Sequence, residues 1–438
     1  MKPILLCLLA VCAWAAEPDW TALDPYAVDL LQRYVRVASV NPPADTRQAA
    51  ALLKSELARY GIAARVYTSG PNGQTNLLAR LPGRNAAKKP LLLLNHMDVV
   101  PVDAKAWKLD PFGGLIRGGF LWGRGALDMK NTGVQQLVAM AALRQAGIVP
   151  ARDILFLATA DEEASGTYGA QWMVDNHFQE IDSEYVLDEG GFGSREILAA
   201  GKLVFGIAVG EKQPVWLRLR AHGTAGHGSQ PISDNANLIL LRALEHSLAA
   251  PREARQNPVV EEMMRTLGPS LAANKFTAAI QRNTLSLTTL AAGVGSPVKV
   301  NVIPSTSEAT LDCRLLPGVN SQEFISELKA RVNDPRVTVE LLTHPIDAGV
   351  SSSRTPLFEA IRAAIGKQHP GALVTPILVP YSTDSPKFRR KGAIAYGFSP
   401  MTLDLETFSS MHGDAERIPV DEFLKGLRIY FDVLRSEF

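Results

Sequence analysis

The stretch LLLLNHMDVVP at residues 91–101 constrains the fold more tightly than any other part of the chain. Four leucines in a row suit a strand covered on both faces, because a half-exposed strand would alternate apolar and polar residues. The run then turns polar at Asn95, His96 and Asp98. Two later runs follow the same plan. RDILFLATADEE ends in Asp161-Glu162-Glu163, and SEYVLDEGG ends in Asp188-Glu189. Helical patterns lie between these runs: NTGVQQLVAMAALRQAGI, stopping near Gly147, and TYGAQWMVDNHF. Buried strands alternating with helices predict an α/β fold with a mostly parallel sheet and helices on both faces. Ligands of such sheets gather outside the carboxyl ends of the strands, where these acids and the imidazole would stand.

The texture changes near Val215. VWLRLRAHG alternates like a half-exposed antiparallel strand, NANLILLRALEHSLAA reads as a helix, and FTAAIQRNTLSLTTLAAG and SEATLDCRLLPG read as strands. The helix SQEFISELKARVN and the strand RVTVELL follow, and α/β texture resumes after Pro345. The predicted organisation is a catalytic domain in two parts, 22–213 and 344–438, interrupted by an α+β lid or dimerisation domain over 214–343. A chain of 438 residues accommodates that division.

With 45 Lys+Arg against 44 Asp+Glu the chain has no basic stripe, which argues against a nucleic-acid partner. The N-terminus MKPILLCLLAVCAWAAEPDW combines Lys2, an apolar core and Ala13-Trp14-Ala15, the layout of a cleaved secretory peptide over 1–15. The expectation is an exported protein, periplasmic or secreted, with no membrane span after cleavage. Cys313 would then be the only thiol, so no intramolecular disulfide could form.

Two divalent ions held about 3.5–4 Å apart need a bridging carboxylate and further nitrogen or oxygen ligands for each. The strand ends supply His96, Glu163 and Asp188. The glycine-rich WGRGALDMKNTG adds Asp128, and SSMHGDAERIP adds His412 in a loop before the last helix. Imidazole and carboxylate without thiolate favour zinc, with manganese or cobalt as alternatives. Asp98, two residues from His96 on the same strand side, suits support of that imidazole. Glu162, beside a ligand, suits the general base. Strand phase leaves Asp188 and Glu189 equally open as the third strand's ligand.

HMDVVP, WGRGALDMK, DEEASGTYGA, LDEGG, GTAGHGSQP, STDSPKFR and MHGDAERIP occur in the order found in a family of di-zinc metallopeptidases, which the chain resembles over nearly its whole length. That family includes aminoacylase, carboxypeptidase S, glutamate carboxypeptidase and succinyl-diaminopimelate desuccinylase. The chain looks most similar to the carboxypeptidase S and N-acyl-amino-acid hydrolase branch. The resemblance implies that Asp128 bridges the metals, that His96 and Asp188 complete one site, and that Glu163 and His412 complete the other. It implies Glu162 as proton acceptor, Asp98 as supporting acid and a cis peptide at Asp128–Met129. Asn131 departs from the family, where many members carry glycine.

By the same resemblance, His227 of the inserted domain would reach a partner subunit's site in a homodimer and donate to the developing oxyanion. Asn301 and Arg314 would hold a substrate carboxylate, Arg314 by a two-pronged grip. Gly397, in the loop after a strand, is read as lining the substrate pocket. The implied reaction is hydrolysis of an amide bond next to a free carboxylate, in small peptides or N-acyl amino acids. Alternatives are hydrolysis of other amides or esters, or a non-catalytic peptide-binding role, which the presence of Glu162 disfavours.

Overall fold

The computed structural model describes residues 17–164, 166–249 and 257–438, so the expected signal segment 1–15 lies outside the described residues. In chain order the principal strands are β1 (Ala64–Thr68), β2 (Thr75–Leu81), β3 (Leu91–His96), β4 (Ile154–Thr159), β5 (Tyr185–Asp188) and β6 (Val204–Glu211). They continue with β7 (Gln213–His222), β8 (Thr284–Ala291), β9 (Thr306–Leu315), β10 (Val337–Leu341), β11 (Leu373–Val379) and β12 (Ile394–Gly397). The central sheet runs β1-β2-β4-β3-β5-β12-β6-β11, with the short strand Phe192–Ser194 paired to β6. Within it β4, β3, β5 and β12 run parallel, with His96 opposite Thr159 and Gly397 opposite Asp188. Their carboxyl ends therefore share one rim.

The four leucines of β3 explain why the sheet is covered on both sides. Leu91 and Leu93 enter the larger core with Phe156, Leu187 and the helices Trp20–Val35, Lys130–Gln145 and Val420–Leu434. Leu92 and Leu94 enter the opposite core with Leu155, Leu157, Met173 and Phe388. Successive side chains of a strand point to opposite faces, so a strand buried on both sides needs an unbroken apolar run. Burying each such leucine contributes about 1.5–3 kcal/mol. β11 carries Pro376, which lacks the N–H a central strand would use, and β11 is the sheet's outermost strand.

Lys212 alone separates β6 from β7, the first strand of a second sheet, antiparallel in the order β8-β9-β7-β10. Val215, Leu217 and Leu219 of β7 pack with Ile239 and Leu240 of the helix Ala236–Leu248, and with Ile325 and Leu328 of the helix Ser321–Val332. This inserted unit is smaller than the predicted 214–343. The helix Pro258–Leu267 places Val259, Val260, Met263 and Leu267 in the larger core, against β11. Phe276 and Ile280 join the same core. FTAAI, predicted as strand, lies in the helix Lys275–Ile280. Asn274 accepts from the Phe276 and Thr277 N–H groups while Thr277 Oγ1 accepts from the Asn274 N–H, a capping box that starts a helix. Among the described residues no helix is long and apolar enough to cross a membrane.

Candidate functional site

Asp128 stands just before the helix Lys130–Gln145, in the loop after the hairpin strand Phe120–Trp122, and turns its carboxylate onto the shared rim. Its Oδ1 lies 3.0 Å from His96 Nε2 at the end of β3. Its Oδ2 lies 3.0 Å from Nε2 of His412, which arrives from the loop before the last strand and helix. Glu163 Oε2 is 3.4 Å from His412 Nε2, and Glu189 Oε1 is 3.9 Å from His96 Nε2. His96, Asp128 and Glu163 offer ligand atoms within 4.8 Å of one another, as do His96, Glu162 and Glu189. The Asp128–Met129 peptide is cis. One carboxylate thus presents one oxygen to each of two imidazoles separated by over three hundred residues of sequence.

Asp98 does more than was expected of it. The ring Nδ1 of His96 sits 2.9 Å from the Asp98 backbone carbonyl oxygen, while the Asp98 carboxylate is 3.8 Å away. A carbonyl only accepts, so Nδ1 carries hydrogen and Nε2 is left facing Asp128. The carboxylate itself accepts the backbone N–H groups of Glu162 and Glu163, each at 3.2 Å. Asn41 Nδ2 donates to Asp98 Oδ2 at 2.8 Å and to Asp161 Oδ1 at 3.2 Å. Asp161 has φ 64°, a left-handed conformation uncommon outside glycine, and leads directly into Glu162.

Glu416 and Arg124 tie the two loops that bear Asp128 and His412. Glu416 Oε1 accepts the N–H groups of Leu127 and Asp128 at 2.9 and 3.1 Å, and its Oε2 accepts from Arg124 Nη1 at 2.6 Å. Arg124 Nη2 donates to the His412 carbonyl at 3.1 Å. Neither Glu416 nor Asn41 was singled out from sequence. Glu416 acts on backbone N–H groups and Asn41 on the carboxylates of other acids, all distant in the chain, and no spacing rule signals that.

The electrostatics describe a place crowded with negative charge. Burial weighs against the His96 imidazolium, but the Asp128 hydrogen bond and the charges of Glu189, Asp128 and Glu162 hold its pKa well above 6.5. Hydrogen bonds to Asp128 and Glu163 push His412 up to about 10. Burial raises Asp128, yet His412 and His96 together hold it well below the usual carboxylate range. Glu162 and Glu189 are pushed well up, chiefly by burial, and Asp98 to about 6 for the same first reason. Glu163 Oε1 is buried without a hydrogen-bond partner. An orphaned carboxylate oxygen and two Nε2 atoms aimed at one carboxylate fit a divalent cation, whose charge would satisfy all of them.

Other predicted positions fall differently. Asp188 is not the side chain that reaches the cluster: its Oδ2 accepts from Ser385 Oγ at 2.8 Å, and Glu189, one residue past the strand end, faces His96 instead. Strand alternation separates the two, so only one can face the rim cluster. Gly397 is a buried strand residue. It lies in β12 where a Cβ would stand 2.2 Å from the Glu189 carbonyl oxygen, so its absent side chain lets β12 approach the backbone of Glu189. Arg314 makes its two-pronged contact with Asp312, at 2.8 and 3.1 Å, and donates to Ser382 Oγ of the catalytic domain at 3.2 Å. His227 and Asn301 sit together on an exposed two-stranded arm of the inserted unit, with Asn301 accepting from the Gly228 N–H at 2.7 Å.

A family model described as peptidase family M20/M25/M40 matches residues 92–436. Aminoacylase-1 of Sus scrofa is 31% identical over 416 residues, covering 94% of this chain and 95% of that protein. The chain belongs to peptidase family M20/M25/M40. As a member of M20 it is a metallo-amidohydrolase or peptidase. The N-fatty-acyl-amino acid synthase/hydrolase PM20D1 of Homo sapiens is 28% identical over 388 residues, covering 82% of this chain and 76% of that protein. Among solved structures, the M20 family metallo-carboxypeptidase Sso-CP2 from Sulfolobus solfataricus superposes with a TM-score of 0.71 at 20% identity, covering 94% of this chain and 98% of that one. Human carnosine dipeptidase 1 superposes at 0.69 and 18% identity, covering 94% and 96%. Both carry the same fold.

Proposed function

We propose that this M20 protein is a two-zinc hydrolase that cleaves an amide bond next to a free carboxylate, in N-acyl amino acids or small peptides. The observation that carries the reading is the Asp128 carboxylate, with one oxygen 3.0 Å from each of two imidazole Nε2 atoms. Asp128 would be shared between the ions, His96 and Glu189 completing one set of ligands and Glu163 and His412 the other. When bound, the metals supply Lewis acidity that polarises the scissile carbonyl and acidifies the attacking water. Manganese or cobalt would fit the same donors.

Glu162 takes the proton of the attacking water and returns it to the leaving amine. Its burial, which favours the protonated form, suits the second half of that task. Asp98, by holding the Glu162 and Glu163 N–H groups, keeps base and ligand in one register. Arg314 would receive the substrate carboxylate, with Asn301 beside the same lid. His227 would act from a second copy of the chain, donating to the oxyanion across a homodimer built on the inserted unit. Support for that placement is its exposure on the lid arm, together with the exposed Leu287 and Leu290 of edge strand β8. The apolar leader at 1–15 supports export to the periplasm or medium.

Metal analysis paired with turnover of N-acetyl amino acids and dipeptides tests the reading, with Glu162→Gln as the control. The expected outcome is two ions per chain in both proteins, with turnover at least about a hundredfold lower in the variant. Equal turnover by the two proteins would remove Glu162 from its role.

A further inference from the structure

The turn that carries Glu162 and Glu163 is tied to a residue far from it in the chain. Asn41 is buried, and its one amide nitrogen serves two carboxylates that are buried as well. Nδ2 donates to Asp98 Oδ2 at 2.8 Å and to Asp161 Oδ1 at 3.2 Å. A side-chain NH2 group has two hydrogens, one for each acid. The amide cannot stand reversed, because its carbonyl oxygen would then face two acceptors with no hydrogen between them. Backbone pairing fixes where Asn41 stands. The Val99 N–H donates to the Ser39 carbonyl at 3.0 Å, and the Asn41 N–H donates to the Val99 carbonyl at 2.8 Å. Ser39 Oγ donates to the Met97 carbonyl. Residues 39–41 therefore run beside the chain just past β3 as a short parallel extension, which brings Asn41 to Asp98.

The two acids that Asn41 joins hold the Glu162–Glu163 turn at different points. Asp98 accepts the N–H groups of both glutamates, each at 3.2 Å. Asp161, the residue before them, accepts the Tyr168 N–H on Oδ2 at 3.1 Å and the Gly166 N–H on its backbone carbonyl at 2.5 Å. Those two bonds close the far side of the turn. Asp161 also sits at φ 64°, a conformation that persists only where its surroundings hold it. Without the Asn41 amide, Asp98 and Asp161 would lose their shared donor and remain buried like charges. The contact of Asp98 with the His96 ring uses the Asp98 backbone carbonyl, so it does not depend on that amide.

We infer that Asn41 is a positioning residue for the Glu162 carboxylate, acting through Asp98 and Asp161. The inference rests on the hydrolase reading above, in which Glu162 moves the proton. It places the influence of Asn41 on the chemical step and not on the binding of substrate or metal. A base displaced by about 1 Å can cost a hundredfold in rate, so a donor that fixes its backbone from both sides has a kinetic consequence.

A double-mutant cycle on the zinc-saturated protein tests it, with an N-acetyl amino acid or dipeptide that the wild type turns over. Asn41→Ala should lower kcat about ten- to a hundredfold while KM stays within about twofold. In the Glu162→Gln background the same substitution should change kcat by less than about twofold, because the group it positions is gone. Asn41→Ser, a milder change that keeps a hydroxyl donor, goes through the same cycle, with melting temperature and zinc content read for every protein. If Asn41→Ala does not fold, the serine variant decides by the same kcat, KM and cycle criteria. Unchanged kcat, equal losses in both backgrounds, or a rise in KM alone would overturn the positioning role and leave the hydrolase reading intact. Loss of the fold in both Asn41 variants would make the residue one of stability and overturn the role as well. Undiminished turnover by Glu162→Gln would remove the base from the hydrolase reading, and this inference with it.

Discussion

Arg124 Nη1 lies 2.6 Å from Glu416 Oε2, and both side chains are buried. The pair joins the loop that ends in Asp128 to the loop that begins with His412, because Glu416 also accepts the Leu127 and Asp128 N–H groups and Arg124 donates to the His412 carbonyl. Asp128 and His412, proposed as ligands and far apart in the chain, therefore depend on one ion pair for their loops.

Glu416→Gln keeps the shape but leaves the Arg124 charge buried without its counter-ion. The expected cost is about 3–5 kcal/mol of stability. Metal affinity should fall about 10–100-fold, since the groups that orient ligands matter almost as much as the ligands. Denaturant titration and zinc-chelator competition measure the two effects. A variant with unchanged midpoint and zinc affinity would show that the clamp is dispensable.

Glu189→Gln and Asp188→Asn separate two neighbours that the sequence alone leaves open. Glu189 faces His96, so its variant should lose one zinc and about a hundredfold or more in turnover. Asp188 bonds Ser385, so its variant should keep both ions. The opposite pattern in atomic-absorption analysis would return the ligand role to Asp188.

Gly397→Ala would place a methyl 2.2 Å from the Glu189 carbonyl oxygen and 2.8 Å from the Ala208 Cβ. Both neighbours belong to sheet strands or their ends, so the backbone must shift. The expected loss is about 1–3 kcal/mol of stability, accompanied by lower turnover because Glu189 moves with its backbone. Thermal melting and steady-state kinetics would show it, and an unaltered enzyme would mean that the sheet yields there at no cost.

What could be read without coordinates follows a physical divide. The strands β3, β4 and β5 announce themselves because burial on both faces requires continuous apolar runs ending where the rim begins. His96 and Glu163 are legible because polar residues at such ends need a reason, and Asp128 and His412 because their loop motifs fall in the order of the family that the chain resembles. Glu189 was obscured because neighbouring acids differ only in strand phase at a strand end. Glu416 and Asn41 were invisible because they act on backbone N–H groups or on other acids, which carry no sequence spacing. The lid boundary failed at Pro258–Leu267, whose apolar face looks the same whichever core receives it.

Lys212 sits at the single-residue junction between β6 and β7, donating to the Ala279 carbonyl at 2.9 Å and Thr284 Oγ1 at 2.8 Å. Burial first, then the nearby Arg314, pushes its ammonium down to about 7 from the ordinary 10.5. Between those values the unfolded chain holds a proton that the folded chain lacks, so this group's contribution to stability rises with pH from about 7 upward. Urea titrations of wild type and Lys212→Met, from about pH 6 to about pH 9.5, should show the wild type gaining on the variant only above about pH 7. Parallel curves across that range would contradict the assignment.

Anomalous diffraction at the zinc edge from crystals grown with zinc tests the shared-carboxylate centre most directly. The predicted result is two peaks about 3.5–4 Å apart, one on each oxygen of Asp128, the first beside His96 and Glu189 and the second beside Glu163 and His412. A single peak, or two peaks with Asp128 bound to neither or to only one, would contradict it.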